Sequence, residues 1–443
     1  MESENGRMSV LMLPNLAYGH ICPFLELAKQ LARRSFDIYL CSTPINLASI
    51  KNRVHENDNI QLLDFHLPSS PGLPPRYHST NGLPYNLIPV LEEAFENAAP
   101  IFVNMLKEIK PDLVIYDFKP SWPAEVSLSM NIPAVYFAVN AAAASCVVVH
   151  LYKNADEKFP FPDIAVFSAD PPKFPESVLK TIREIVLCFD RSSNLVLIKS
   201  FTEVEENYLD FLSDLVHKTL IPVGPLVHYP TEYEDDDMKN IMTWLDKKEK
   251  SSVLFACFGS ENYLSAEEVI EMSCALEITK CDFIWSVRSP QGEEKSSLQL
   301  PEGFVQRIGD SGLILEGWAP QTKILGHPSI GGFLSHCGWS SVNESIKHGV
   351  PLIAMPMRGD QHTNAKLAVE IGVSMAIARN NEGKFKREEI ANVIRKILAE
   401  ESGEGVRRKA KELKSKIEEK GEDDLDKAAE ELAQVCSKKK QLY

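Results

Sequence analysis

The chain has 443 residues, 44% hydrophobic and 25% charged, which is too long for one compact core and ordinary for a globular protein of two domains. Its 62 Asp and Glu against 47 Lys and Arg give a formal net charge of −15, which argues against a phosphate-backbone partner or an anionic membrane surface. Nine cysteines without any Cys-x-x-Cys pair make neither a disulfide framework nor a zinc site, and fit a reducing, cytoplasmic compartment.

Met1 to Arg7 is polar and lacks the basic flank and cleavage site of a secretory signal. Ser9 to Leu13 then reads as an apolar strand, followed by a loop with Gly19 and His20 and by Pro23 as a first-turn helix residue. Phe24, Leu27, Ala28, Leu31 and Ala32 recur at helical spacing, Ser35 closes that helix, and Ile38 to Cys41 is the next strand. Strand, helix and strand in this order predict a parallel sheet. Leu113 to Tyr116 and Ala134 to Val139 are further strands, ending at Asp117 and Asn140. Ligands of open parallel sheets gather at carboxyl ends of strands, so His20, Asp117 and Asn140 are expected to share a crevice. The longest apolar run, Ile132 to Val149, includes Asn140 and Ser145 and predicts a buried strand and helix rather than a membrane span. Leu195 to Ile198 follows as a strand, ahead of Ile221 to Pro225, where Pro and Gly break the pattern.

The acidic, turn-rich stretch from Tyr229, with Glu234 to Asp237, predicts a linker over residues 229–245 between domains at 1–228 and 246–422. Val253 to Phe258 restarts the pattern as a strand with Gly259-Ser260 as its loop. Ile390, Val393, Ile394, Ile397 and Leu398 mark an amphipathic helix, and Leu425, Ala428, Leu432 and Val435 carry a narrow apolar stripe toward a basic tail, Lys438 to Lys440, expected to fray.

Residues 318–361 carry the chemistry. Trp318 follows the strand Leu313 to Leu315 and can offer its face to a planar base, with Gln321 as a hydrogen-bonding partner. Gly331-Gly332-Phe333-Leu334 leads into Ser335-His336-Cys337-Gly338-Trp339-Ser340-Ser341, read as strand, glycine turn and helix N-terminus. The free N–H groups and positive dipole end of such a helix bind phosphate, and His336, Ser340 and Ser341 add donors. Val350 to Ala354 is a further strand, and beyond it Asp360-Gln361 pairs a carboxylate with an amide, suited to sugar hydroxyls. Each residue alone has a structural explanation: Asp360 as helix cap, Glu344 as solvated helix residue, His336 as core histidine. Their joint order favours a nucleotide-sugar site.

These residues resemble the plant secondary-product signature of the family-1 UDP-glycosyltransferases. The resemblance implies an α/β chain of two facing doubly wound, Rossmann-like lobes, the GT-B arrangement, with the donor on the C-terminal lobe, the acceptor on the N-terminal lobe, and residues 423–443 packing back on the latter. It implies that Trp318 stacks on uracil, Ala319 and Gln321 contact the base, and Glu344 holds the ribose. His336, Ser341 and Ser260 reach the phosphates, with Gly259, Gly338 and Ser340 beside them, and Trp339, Asp360 and Gln361 contact the sugar. In this family the closing glutamine accompanies glucose, and Trp rather than Arg at 339 disfavours glucuronate, so UDP-glucose is the expected co-substrate, without metal or cofactor. Ser340 departs from the family's usual Asn. Gly19-His20, Pro23-Phe24, Ser79-Thr80-Asn81-Gly82-Leu83-Pro84 and Tyr116-Asp117 are similar to the subgroup that elongates sugar chains on triterpenoid or flavonoid glycosides, where a β-1,2 linkage is the expectation. A monomer is expected.

His20 is the candidate base that takes a proton from the attacking hydroxyl, with Asp117 accepting from its other ring nitrogen, as in a hydrolase triad. Tyr18, Asn81, Tyr85, Phe118, Trp122 and Asn140 complete the candidate acceptor set. His336 and the helix N-terminus are read as a fixed positive environment for departing UDP. A dehydrogenase would need a Gly-x-Gly-x-x-Gly fingerprint that opens neither half, and a glycoside hydrolase would need two facing carboxylates where only Asp117 is offered. A silent nucleotide-sugar binder would have no use for both His20 and Asp117.

Overall fold

A computed structural model describes residues 6–165, 174–228, 236–288 and 300–440. The chain forms two compact units, one running to Leu226 and resuming at Gly421, the other spanning Val227–Lys420.

The first unit is built on seven parallel strands: β1 (Met8–Leu13), β2 (Phe36–Ser42), β3 (Ile60–Asp64), β4 (Leu113–Tyr116), β5 (Ala134–Ala138), β6 (Leu195–Ile198) and β7 (Thr219–Pro222). Their order across the sheet is β3-β2-β1-β4-β5-β6-β7. Central strands such as β4 and β6 are buried along their whole length, which is why they read as unbroken apolar runs. The helix Tyr18–Ala32 covers one face through Phe24, Leu27, Ala28 and Leu31. The same core takes in Ala428, Leu432 and Cys436 of the helix Asp423–Lys440, with Leu425 and Val435 at its flank. Ile132 to Val149 resolves into β5 and the helix Ala142–Lys153. Among the described residues no helix is long and apolar enough to cross a membrane.

The N-terminus of the helix Ala142–Lys153 is capped from outside its own sequence. Fully buried Glu205 accepts from the N–H groups of Ala142 (3.2 Å) and Ala143 (2.9 Å) and from the Ser200 hydroxyl (2.6 Å). Burial pushes the Glu205 carboxyl up to about 7, against the lowering effect of those bonds. The unfolded chain releases this proton near the ordinary 4.5, so the contribution to stability is complete below that pH and is lost as pH rises to about 7. Glu205→Gln is therefore expected to flatten the dependence: its melting temperature, measured between pH 5 and 8, should fall less with pH than that of the unaltered protein. Parallel curves would rule out a proton on Glu205.

The second unit has six parallel strands: β8 (Val253–Cys257), β9 (Asp282–Val287), β10 (Gly312–Glu316), β11 (Ile330–Ser335), β12 (Leu352–Ala354) and β13 (Ser374–Ala376), ordered β10-β9-β8-β11-β12-β13. Trp285, Phe283, Leu334 and Ile353 form its core with Ile390, Val393, Ile394 and Ile397 of the helix Arg387–Leu398.

Residues 229–235 of the expected linker lie outside the described residues. Its remainder departs from the expectation: Asp236–Leu245 is a helix, because Met238, Ile241 and Leu245 fall on one face and are buried. The tail also differs, since the last helix continues to Lys440.

Candidate active site

In the first unit the strand order reverses between β1 and β4, and in the second between β8 and β11. Chains leaving the two strands at such a point turn to opposite sides, opening a crevice at their carboxyl ends. His20 and Asp117 follow β1 and β4, and Gly259, Ser260 and His336 follow β8 and β11.

His20 follows β1, in the third position of the helix Tyr18–Ala32 rather than on a loop, and Pro23 is the sixth residue of that helix rather than in its first turn. The first turn closes on the Ala17 carbonyl, which accepts from His20 (2.9 Å) and Ile21 (3.0 Å). Pro23 then costs only the bond to the carbonyl of Gly19, an exposed residue. Asp117, at the end of β4, is 1% exposed at its side chain against 22% for His20, and its Oδ2 lies 2.7 Å from His20 Nδ1. The same oxygen accepts from the Asn15 N–H at 3.0 Å, and Oδ1 accepts from the Phe118 N–H at 2.7 Å. A carboxylate held by backbone donors offers only acceptance, so Nδ1 of His20 carries the hydrogen and Nε2 keeps its lone pair.

Phe118 stands beside this pair, its ring centroid 5.5 Å from that of His20. The Thr80 N–H donates to the Leu16 carbonyl at 2.9 Å, which brings the segment with Ser79 and Asn81 next to Asn15 and Leu16; the Asn81 N–H itself is held by Ser79 Oγ. Tyr85 is exposed, Tyr18 points its hydroxyl toward Arg53 (3.5 Å), and Asn140 donates to Ser145 Oγ (2.7 Å). Trp122 is 9% exposed, its ring packed against Phe95 and Phe102 just before the helix Pro123–Ser129.

In the second unit Trp318 is 55% exposed beyond β10, with the Arg288 guanidinium 5.6 Å from its ring, and Ala319 is buried beside it. Gln321 Nε2 donates to Glu344 Oε2 (2.7 Å) and Ser341 Oγ (3.1 Å), drawing together three predicted residues from two helices. Ser341 and Ser340 occupy the first turn of the helix Trp339–His348, capped by Gly338. His336 lies between two glycines: a Cβ on Gly259 would come within 2.7 Å of its ring and one on Gly338 within 2.5 Å. Gly259 also has a φ of +77°, which a side chain would resist. Asp360 starts the helix Gln361–Glu370 and accepts from Asn364 Nδ2 at 3.2 Å. Among the described residues no group of three His, Cys, Asp or Glu side chains is placed to hold a metal ion.

Two family models match the chain, Glycosyltransferase, N-terminal domain, over residues 6–228, and UDP-glucoronosyl and UDP-glucosyl transferase over residues 229–428. UDP-glucosyltransferase 29 of Panax ginseng is 55% identical over 442 residues, 99% of either chain. The chain belongs to the plant family-1 UDP-glycosyltransferases. Beta-D-glucosyl crocetin beta-1,6-glucosyltransferase of Gardenia jasminoides is 43% identical, covering 96% of this chain and 98% of that one. The crystal structure of Glycyrrhiza uralensis UGT73P12 with glycyrrhetinic acid 3-O-monoglucuronide superposes with a TM-score of 0.88 at 23% identity, over 98% of this chain and 97% of that one, and the fold is GT-B. The protein is thus a glycosyltransferase that uses a UDP-sugar.

Two expectations for this UDP-glycosyltransferase change with the geometry. His336 is not a positive group: burial first, and the nearby Arg358 charge second, hold its pKa down to about 4, so it offers a neutral ring. Trp339 is 4% exposed, so its indole is packed within the protein rather than presented to a sugar. Gly338→Ala is expected to displace the His336 ring and weaken UDP binding about tenfold or more, since overpacking costs roughly 1–3 kcal/mol. Calorimetric titration with UDP checks this, and an unchanged affinity would mean that the ring moves freely.

Proposed function

We propose that this enzyme transfers glucose from UDP-glucose to a sugar hydroxyl of a small-molecule glycoside, a triterpenoid glycoside in the first instance, with inversion at the anomeric carbon. The observation that carries the chemistry is the His20–Asp117 pair, in which Asp117 Oδ2 lies 2.7 Å from Nδ1 and so makes Nε2 the ring nitrogen that takes a proton. Nε2 takes the acceptor's hydroxyl proton as the oxygen bonds to the anomeric carbon. The bond from that carbon to the β-phosphate oxygen breaks, its electron pair leaves with UDP, and an α-linked donor gives a β-glycoside. The N-terminus of the helix Trp339–His348 answers the charge gathering on the leaving phosphate. Gln361 supports a glucose donor through its Nε2, because its Oε1 is engaged by the N–H groups of Met357 and Arg358. The Gardenia relative, named for a glucosylated acceptor, supports chain elongation.

The test is mass spectrometry of the purified protein with UDP-glucose, chelator, and triterpenoid and flavonoid aglycones alongside their monoglucosides. One added hexose on the monoglucosides alone is the expected result. Addition to free aglycones would make this a primary glucosyltransferase, and UDP binding without any product would leave a nucleotide-sugar binder. Linkage analysis then separates a β-1,2 bond, suggested by the N-terminal motifs, from the β-1,6 bond in the Gardenia relative's name.

A further inference from the structure

The segments assigned to the donor's diphosphate and to its sugar leave β8 and β12, which are not neighbours: β11 lies between them. No strand ladder can therefore hold Phe258–Asn262 against Met357–Gln361, and side chains do so instead. Arg358 reaches across, its Nε donating to Asn262 Oδ1 at 3.0 Å and its Nη2 to the Glu261 carbonyl at 2.8 Å, with Glu261 Oε2 at 3.5 Å. Asn262 is 7% exposed, and its Nδ2 donates to the Phe258 carbonyl at 3.1 Å, so its amide spans Gly259 and Ser260 from both ends. Gln361 joins the same hub: Nε2 lies 3.4 Å from Asn262 Oδ1, while Oε1 accepts from Met357 and Arg358 at 3.0 Å each. A buried amide is costly to leave unpaired, so each end of this bridge has reason to stay closed on the other.

We propose that Arg358 is a positioning residue of the donor site, which through Asn262 couples the diphosphate loop Gly259-Ser260 to the sugar-contacting pair Asp360-Gln361. The inference rests on the reading of those two segments as donor contacts. It makes diphosphate and sugar recognition one event: loosening the bridge weakens the hold on both, although Arg358 need touch neither. The forked guanidinium suits the task, since it meets Asn262 Oδ1 and the Glu261 carbonyl together, which a single ammonium cannot.

The test uses Arg358→Met and Arg358→Lys in the full chain. The Arg358 side chain is half-exposed, and a melting curve confirms that each variant folds. Arg358→Met is expected to raise the KM for UDP-glucose about tenfold, with kcat within about threefold, and Arg358→Lys to recover part of that loss. The coupling itself is read from Gln361→Ala, whose effect on kcat/KM should shrink at least threefold when Arg358 is already Met. An unchanged KM in Arg358→Met, or a Gln361→Ala effect of equal size in both backgrounds, overturns the proposal. Failure of UDP to bind the unaltered protein would instead remove the donor-site reading on which it rests.

Discussion

His20→Ala is expected to lower kcat by roughly 10²- to 10⁴-fold, the usual contribution of a positioned general base, while the dissociation constant for UDP changes less than about twofold. A sugar hydroxyl is a poor nucleophile at neutral pH, and Nε2 of His20 is the ring nitrogen that Asp117 leaves as an acceptor. The predicted uridine and phosphate contacts, Trp318, Gln321, Ser341 and Glu344, belong to the other compact unit, so nucleotide binding has no need of His20. Steady-state kinetics and calorimetry on one preparation check both halves of the prediction. Ordinary turnover in the variant would put the base elsewhere, and a joint loss of turnover and UDP binding would point to damaged structure.

Asp117→Asn should be almost as severe, about 10²-fold or more in kcat, although it changes neither shape nor volume. Asp117 receives donors at both oxygens: Phe118 N–H at Oδ1, and Asn15 N–H with His20 Nδ1 at Oδ2. An amide has one oxygen for these three. With its NH₂ toward Phe118 two donors collide in a buried place. With the NH₂ toward His20 it also faces the Asn15 N–H, the imidazole must turn to the tautomer that carries hydrogen on Nε2, and the atom required to take the proton already holds one. Kinetics with a melting curve check this: lost activity in a variant that still folds cooperatively indicates the wrong tautomer, whereas near-normal kcat would make Asp117 a structural anchor alone.

What could be read from residues 1–443 follows from how the chemistry is encoded. The signature positions from Trp318 to Gln361 were legible because they demand particular side chains in a fixed order, and β4 and β6 because a strand buried on both faces must be apolar throughout. His20 and Asp117 lie 97 positions apart, yet each follows a strand, and the strand-end rule was enough to associate them. The start of the first helix was hidden because Ala17 makes no side-chain cap, which left Pro23 as the strongest local signal of a helix start. Strands β3 and β13 escaped because they are mixed in polarity and lie at sheet edges. The hold of Asn15 on Asp117 is a backbone N–H and leaves no mark in side-chain identity. Arg358 and Asn262, 96 positions apart on loops of non-adjacent strands, could be joined only in three dimensions.

The last helix has a consequence for how the molecule is made. Ala428 and Leu432 are fully withdrawn from water in the core of the first unit, and the whole second unit intervenes in the chain before they are synthesised. During translation the first unit must therefore wait without the contacts that this last helix makes with the helix Tyr18–Ala32 and β7. Each Leu or Ile side chain left in water costs about 1.5–3 kcal/mol of the stabilisation that burial gives. A fragment ending at residue 226 would lack that cover permanently and leave the apolar surface beneath it in water. The two halves of this transferase are thus separable as compact bodies but not by a single cut, and a chaperone that shields the first half until the last helix arrives would meet a need written into the order of the chain.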